Sequence, residues 1–272
     1  MNNLKISKLP SLALSSPVLL ILVLMISSNV NAETPEEKGK AIAVEADKRD
    51  TGWKDVKTKS VMILRNRHGQ ESTRRTHGKN LEVIGDGDKT LVVFDNPRDV
   101  KGTAFLTWSH ALESDDQWIF LPALKRVKRI SSSNKSGPFM GSEFAYEDIS
   151  STEVEKYKYK YIKNEKINNR DAFVIERYPQ YKYTGYTRLV TWLDTEMYQP
   201  VKIEFYDLKN SLLKTLTYQD YKQYLNKYWR PAKMEVINHQ TGKSTVLNWE
   251  KYEFNTGLKE RDFDRNSLKR AR

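Results

Sequence analysis

The chain contains no cysteine among its 272 residues. Disulfide bonds, thiol nucleophiles and metal sites with cysteine ligands are therefore excluded. A lipid anchor attached to a cysteine after a leader is excluded for the same reason. The fold must depend on its hydrophobic core, and a chain of this length is ample for one large domain.

Histidine is also scarce, and no pattern of catalytic or metal-binding residues stands out. The four histidines, at 68, 77, 110 and 239, lack acidic or histidine neighbours at metal-ligand spacing, so we expect no metal and no cofactor. The motifs G-x-S-x-G and H-E-x-x-H do not occur, and we expect a protein that is not an enzyme. A carboxylate pair such as Glu143 and Asp148 acting as acid and base stays open.

Long apolar runs are missing as well. The stretch PVLLILVLMI at 17–26 has ten residues, whereas a helix that spans a bilayer needs roughly 20. Lys5 and Lys8 precede it, and SSNVNA follows it, with small or aliphatic residues at Val30 and Ala32. This three-part pattern predicts a secretory signal peptide over residues 1–32, cleaved after Ala32, rather than a membrane anchor.

Positive charge is in excess. The formal net charge is +11, and removal of Lys5 and Lys8 with the leader would lower it to +9. A basic balance favours anionic partners such as phospholipid headgroups, and export argues against nucleic acid. The alternative is that the charge serves only solubility.

The predicted mature chain begins with a helix and continues as strands. Thr34, Pro35 and Glu37 form a capping-box pattern, which predicts a helix from about Pro35 to Asp47. Alternating or continuous apolar patterns then predict about a dozen strands. They lie at 58–67, 81–94 (a hairpin turning at 85–88), 102–109, 116–121, 153–162, 171–178, 187–194, 199–207, 211–221, 227–239 and 242–252. So many strands with little helix predict one strongly curved or closed antiparallel sheet and a single domain over residues 33–272.

Two of these strands are apolar on both faces, at 61–64 and 91–94. An ordinary sandwich core explains one such strand, whereas a curved sheet that packs a helix and also lines an interior cavity explains both. The pleat register, which decides which side chains face inward, cannot be read from the sequence. Our candidates for the cavity lining are Met62, Leu64, Val92, Phe94, Leu106, Trp108, Trp118 and Phe120.

The stretch KRVKRISSSNKSGPFMGSEFAYED at 125–148 changes from basic to hydroxyl-rich to aromatic and acidic. It lacks the spacing and the following helix of a phosphate-binding loop. Together with Leu121–Leu124 it resembles the signature of the outer-membrane lipoprotein-sorting proteins, a LolA-like family. Supporting matches are GDKTL at 87–91, KGTAFL at 101–106, QWIFLP at 117–122 and WLD at 192–194.

The resemblance implies a mainly β fold with a helical lid: an incomplete antiparallel β-barrel of the LolA/LolB/LppX type around an apolar cavity. It also implies a soluble periplasmic carrier, a chaperone that shields the acyl chains of lipoproteins or lipids. An inner-membrane transporter would be the donor, an outer-membrane protein the acceptor, and membrane contact would be transient. The alternative is an adaptor module of an efflux-type envelope transporter without carrier activity.

Within this framework, residues 131–143 are expected to form a mobile loop at the cavity mouth, with glycine hinges. The alternative is a fixed loop that plugs the barrel. The basic residues before the loop are candidates for docking to an anionic headgroup or an acidic partner, or they form a merely solvated strand face. The candidates are Phe139, Met140, Phe144 and Tyr146 for the lid, Gly137 and Gly141 for the hinges, and Lys125, Arg126, Lys128 and Arg129 for docking.

Overall fold

Thirteen strands pair side by side in a single antiparallel sheet. The computed structural model describes residues 32–271, so the predicted signal peptide lies outside the described residues except for Ala32. The elements are α1 Pro35–Asp50, β1 Asp55–Arg65, β2 Glu71–Leu81, β3 Lys89–Asn96, β4 Ala104–Trp108, β5 Asp116–Leu121, β6 Arg126–Arg129, β7 Tyr157–Ile167, β8 Arg170–Pro179, β9 Tyr186–Asp194, β10 Pro200–Asp207, β11 Leu212–Tyr224, β12 Tyr228–Asn238 and β13 Ser244–Phe254.

The sheet does not close. Its order is β6-β5-β4-β3-β2-β1-β13-β12-β11-β10-β9-β8-β7, which leaves β6 and β7 as the two edges. Pairing of β1 with β13 joins the two halves in the middle. The chain therefore runs from β1 out to one edge, crosses to the other edge at β7, and returns strand by strand. This is the predicted incomplete antiparallel barrel.

Helix α1 begins as the capping box predicts. The Glu37 amide donates to Thr34 Oγ1 at 3.2 Å, and the Thr34 amide donates to Glu37 Oε2 at 2.8 Å. The helix lies directly on edge strand β7, because a Cβ at Gly39 would come within 2.7 Å of the Tyr161 nitrogen. Among residues 32–271 no helix combines the length and apolarity that a membrane span requires.

The prediction of a hairpin over 81–94 was wrong in its first half. Strand β2 occupies the polar stretch ESTRRTHGKNL, and residues 82–88 form the turn that leads into β3. The sequence of β2 has few strand-favouring apolar residues, yet the strand pairs along its length with β1 and β3. Backbone pairing on both sides outweighs the weak intrinsic preference of its side chains.

The two faces of the sheet bury different partners. We call the face turned toward the interior the concave face. The connection from β6 to β7, residues 130–156, crosses it, and we call this connection the crossing loop. Phe139 of the crossing loop packs 6.0 Å from the Phe94 ring and 5.0 Å from the Phe105 ring. On the opposite face of β3–β5, the C-terminal turns bury Phe263 and Leu268.

One buried carboxylate holds both ends of the crossing loop. Asp115, between β4 and β5, accepts a hydrogen bond from Lys156 and lies 3.4 Å from Lys135 Nζ. All three side chains are buried. Burial alone would raise the pKa of Asp115, but the two ammonium groups outweigh it and hold that pKa below its usual range. The carboxylate is therefore ionised at neutral pH and pairs with both cations.

Replacing Asp115 with alanine should destabilise the protein by about 3–5 kcal/mol, because two lysine ammonium groups would be left buried without an anion. Guanidinium denaturation of the purified protein measures the change in the free energy of unfolding. The control is Glu71→Gln, which removes an exposed ion pair with Arg65 and should cost about 0–1 kcal/mol. Equal losses in the two variants would show that Asp115 does not anchor the loop.

Candidate functional site

A cavity of about 670 Å³ lies between α1 and the concave face of β8–β11. We call it the helix-side cavity. Ala43 and Ala46 of the helix border it on one side, and the small size of their side chains leaves this space open. Its volume falls within the roughly 300–1,000 Å³ typical of ligand pockets. The sheet contributes Tyr159, Ile175, Leu193, Ile203 and Tyr218 to its floor.

Seven of the residues that line this cavity carry carboxylates. We call the seven together the acidic rim: Asp47, Asp50, Glu82, Asp86, Asp88, Glu153 and Glu155. Arg230 pairs with Asp50 at 2.6 Å, and His110 lies 2.9 Å from Asp86. Within residues 32–271 no group of three or more His, Cys, Asp or Glu side chains is placed to hold a metal ion.

Several rim carboxyls hold their protons more tightly than usual. Burial raises the pKa of Asp88 to about 7, and the nearby negative charges of Glu153, Glu82 and Asp50 add to the effect. Burial followed by carboxylate repulsion also raises the pKa of Asp47. The charge of Asp88 therefore changes around neutral pH.

Two polar side chains on the floor have unpaired groups. Arg177 on β8 is only 9% exposed, and its Nε has no hydrogen-bond partner among the described residues. Thr191 on β9 is 2% exposed, and its Oγ1 also lacks a partner there. Both residues line the helix-side cavity. The guanidinium of Arg177 lies 5.3 Å from the centre of the Tyr157 ring.

Our sequence reasoning did not single out Arg177 or Thr191. A signal was present, because Arg177 follows Phe173 and Ile175 at two-residue spacing and so shares their face of a largely apolar strand. A cation in phase with buried apolar positions indicates either a buried ion pair or a ligand contact.

A second cavity, of about 970 Å³, lies on the other side of the crossing loop. Phe144, Tyr186 and Leu213 line it together with many polar groups. Lys214 at its wall forms a buried ion pair with Asp148 at 2.5 Å. The amide of Asn238 donates to Glu143 at 2.7 Å, so the two carboxylates singled out from the sequence are both engaged in holding the crossing loop.

The eight predicted lining residues divide between the two faces of the sheet. Four lie on the concave face, packed against the crossing loop: Met62, Leu64, Val92 and Phe94. The other four lie on the opposite face, around Phe263 and Leu268: Leu106, Trp108, Trp118 and Phe120. For these four the prediction of an inward orientation was wrong, because the pleat points them at the C-terminal turns, which no strand pattern revealed. Neither of the two cavities is lined by any of the eight.

The predicted lid residues pack against the concave face of the sheet. Phe139 and Phe144 are buried, and Met140 and Tyr146 are half-buried in the same cluster. Arg74 donates to the Met140 carbonyl, and Gln117 Nε2 donates to the Tyr146 carbonyl at 2.9 Å. This packing is the one that the fixed-plug alternative describes.

The two predicted hinges differ in backbone conformation. Gly141 has φ +75° and open space around its α-carbon, whereas a Cβ at Gly137 would meet the Asn134 carbonyl at 3.1 Å. Only Gly141 therefore needs the conformational freedom of glycine. Whether the crossing loop moves as a lid stays a prediction.

The predicted docking residues are exposed on edge strand β6 and the turn before it. Arg129 pairs with Asp116, and within residues 32–271 no ion pair includes Lys125, Arg126 or Lys128. Arg126 and Lys128 alternate with Val127 and Arg129, so the basic residues are divided between two faces of the strand. Docking through them stays a prediction.

Comparisons with known proteins agree on the relatives of this chain. A family model described only as "Uncharacterized protein" matches residues 86–270. A crystal structure from Vibrio parahaemolyticus, described as an outer membrane lipoprotein-sorting protein domain, is 59% identical, with a TM-score of 0.85 over 86% of this chain and 99% of that chain. A DUF1329 family protein from Desulfovibrio piger is 32% identical, with a TM-score of 0.82 over 86% of this chain and 99% of that chain.

A LolA superfamily protein from Nitrosomonas europaea is 21% identical, with a TM-score of 0.66 over 83% of this chain and 97% of that chain, and it supports the fold alone. Among curated proteins, none matches this chain.

The raised pKa of Asp88 predicts a pH-dependent stability. Aspartate in the unfolded chain loses its proton near pH 3.8, whereas folded Asp88 keeps its proton up to about pH 7. The stability contributed by this group therefore falls as the pH rises between these values. Asp88→Asn should remove that fall and, after discounting for water at the rim, gain about 1–2 kcal/mol at pH 8.

Thermal melts of both proteins from pH 4 to pH 8 measure the difference. Asp86→Asn is the matched control from the same turn. Burial would raise the pKa of Asp86, but hydrogen bonds from His110 and the Ala111 amide lower it overall. Asp86 therefore stabilises the wild type increasingly as the pH rises through the acidic range, and the Asp86 variant should fall behind the wild type in stability over that range. If the melting temperatures of Asp88→Asn and the wild type differed by the same amount at every pH, the assignment to Asp88 would be contradicted.

Proposed function

The chain belongs to the family of LolA-like outer-membrane lipoprotein-sorting proteins, and on that premise we propose that it binds acyl chains of lipoproteins or lipids in the helix-side cavity. The observation that carries the proposal is the position of this cavity, between a helix and the concave face of an unclosed sheet. Burial of apolar chain there is favourable by about 25 cal/mol per Å² of surface removed from water.

We further propose where the carrier works. The leader over residues 1–32 would direct export to the periplasm, where residues 33–272 would act as one domain. There the protein would receive cargo from an inner-membrane transporter and pass it to an outer-membrane acceptor, without chemical turnover. Transient docking would use the exposed cations Lys125, Arg126 and Lys128.

Release requires a bound state that is not too stable. A cavity bordered by seven carboxylates matches an acyl chain imperfectly, because part of the lining prefers water to hydrocarbon. Movement of α1 away from β7 would open the same space, since the helix is one wall of the cavity. A membrane partner that bound more tightly when α1 has moved away from β7 would favour the open cavity and so couple docking to release.

Protein purified from its native envelope without detergent should contain lipid or acylated protein. Organic extraction followed by mass spectrometry identifies it, and a fluorescent fatty-acyl probe should bind the stripped protein and be displaced by the extracted cargo. Protein that carries no lipid and binds no acyl probe would overturn the carrier proposal and favour the adaptor alternative.

Ala46→Trp should abolish or strongly reduce probe binding, because an indole at position 46 would fill space in the helix-side cavity. The matched control is Val44→Trp on the same helix, where the side chain is 46% exposed and does not border the cavity. Probe titrations of both variants, with circular dichroism as a check on folding, separate the two positions. Equal probe affinity in the two variants would place the acyl site elsewhere.

A further inference from the structure

Arg177 is a buried cation without a hydrogen-bond partner for its Nε in the described part of the chain. Most buried guanidinium groups are paired with carboxylates, because leaving such a charge unpaired in the interior is costly. Other cations of the sheet show the usual arrangement, since Arg188 pairs with Glu176 at 3.0 Å and Lys214 pairs with Asp148 at 2.5 Å. Within residues 32–271 no ion pair includes Arg177.

The surroundings of Arg177 supply little compensation. Tyr157 offers the face of its ring at 5.3 Å, and a cation–π contact of this kind replaces only part of what an ion pair would supply. Tyr159 is the direct partner of Arg177 across β7 and β8, and its hydroxyl donates to the Val154 carbonyl at 3.1 Å. Its Nε therefore stays without a partner among residues 32–271, on a side chain that lines the cavity.

Thr191 adds a second group nearby, a hydroxyl without a partner in the part of the chain that the structure describes. Arg177 pairs with Leu189 across β8 and β9, which places Thr191 two residues along on the same face as a diagonal neighbour. A hydroxyl can donate one hydrogen bond and a guanidinium can donate two in parallel. Together they form a polar spot on an otherwise apolar and aromatic floor, an arrangement that fixes the orientation of a ligand.

The charges of the cavity decide which end of an amphiphile would reach this spot. An anionic headgroup at the entrance would lie beside the acidic rim and be repelled by it. The same headgroup beside Arg177 would meet a buried cation that has no ion pair within residues 32–271. Carboxylate matches the geometry of both the guanidinium fork and the threonine hydroxyl.

We propose that the helix-side cavity recognises the carboxylate of a long-chain fatty acid, or of an acyl ligand with the same end group, through Arg177 and Thr191. The headgroup lies inside, against β8 and β9, and the hydrocarbon chain runs under α1. This assignment rests on the proposed acyl-binding function and adds to it the chemical class of the ligand.

The test compares cis-parinaric acid with its methyl ester, which share one fluorescent chain and differ in charge at the headgroup. Delipidated wild-type protein at pH 8 should bind the acid at least about tenfold more tightly than the ester. Arg177→Met should bind the acid no more tightly than the wild type binds the ester. Arg177→Lys, which keeps the charge and loses the fork, should lie between them.

Arg188→Met is the matched control. It removes an arginine from the adjacent strand and from outside the cavity, so the preference for the acid should persist. Equal affinity of the wild type for acid and ester, or an undiminished preference in Arg177→Met, overturns the assignment and leaves acyl binding intact. Failure of the wild type to bind either probe would instead overturn the proposed function. The wild-type comparison needs no variant, so it decides the question even if Arg177→Met does not fold.

Discussion

The concave face of an unclosed sheet has to be covered, and the order of the strands dictates what covers it. Strands β1 to β6 follow one another from the middle of the sheet to one edge, and the next strand in the chain, β7, lies at the opposite edge. The connection between these edges has no route within the sheet, so it crosses the interior. Apolar residues of the crossing loop, with Phe139 at the centre, supply the core that the strands alone would lack.

A loop in the interior must satisfy its own backbone, and here side chains of the sheet do so. Arg74, Gln117 and Lys214 donate to carbonyls at three points along the crossing loop. Lys214 is also paired with Asp148 at 2.5 Å, so this anchor is itself held in place. With the centre filled in this way, open space remains beneath α1, where Ala43 and Ala46 border the helix-side cavity, and in the second cavity beside the crossing loop.

Much of the fold follows from the sequence, and the reasons for the exceptions are physical. The capping box at Thr34 and Glu37 and the apolar strand runs are local signals, and the helix and most strands appear where they indicate. Strand β2 was missed because its position is set by its neighbours. Leu106 and Trp118 were assigned to the wrong face because the C-terminal turns that cover them are distant in sequence. The family signature marked the crossing loop but carried no information on how deeply its aromatic side chains are buried.

The site was harder to predict than the fold, because its residues are unusual only in their surroundings. Asp88 belongs to an ordinary turn sequence, and Arg177 belongs to an ordinary strand. Only the folded chain brings seven carboxylates around one cavity and leaves the Nε of Arg177 without a partner among residues 32–271. Both arrangements oppose stability, since like charges repel and a buried cation prefers an anion. Under the proposed function, a ligand that enters past the rim and pairs with Arg177 would offset part of this cost.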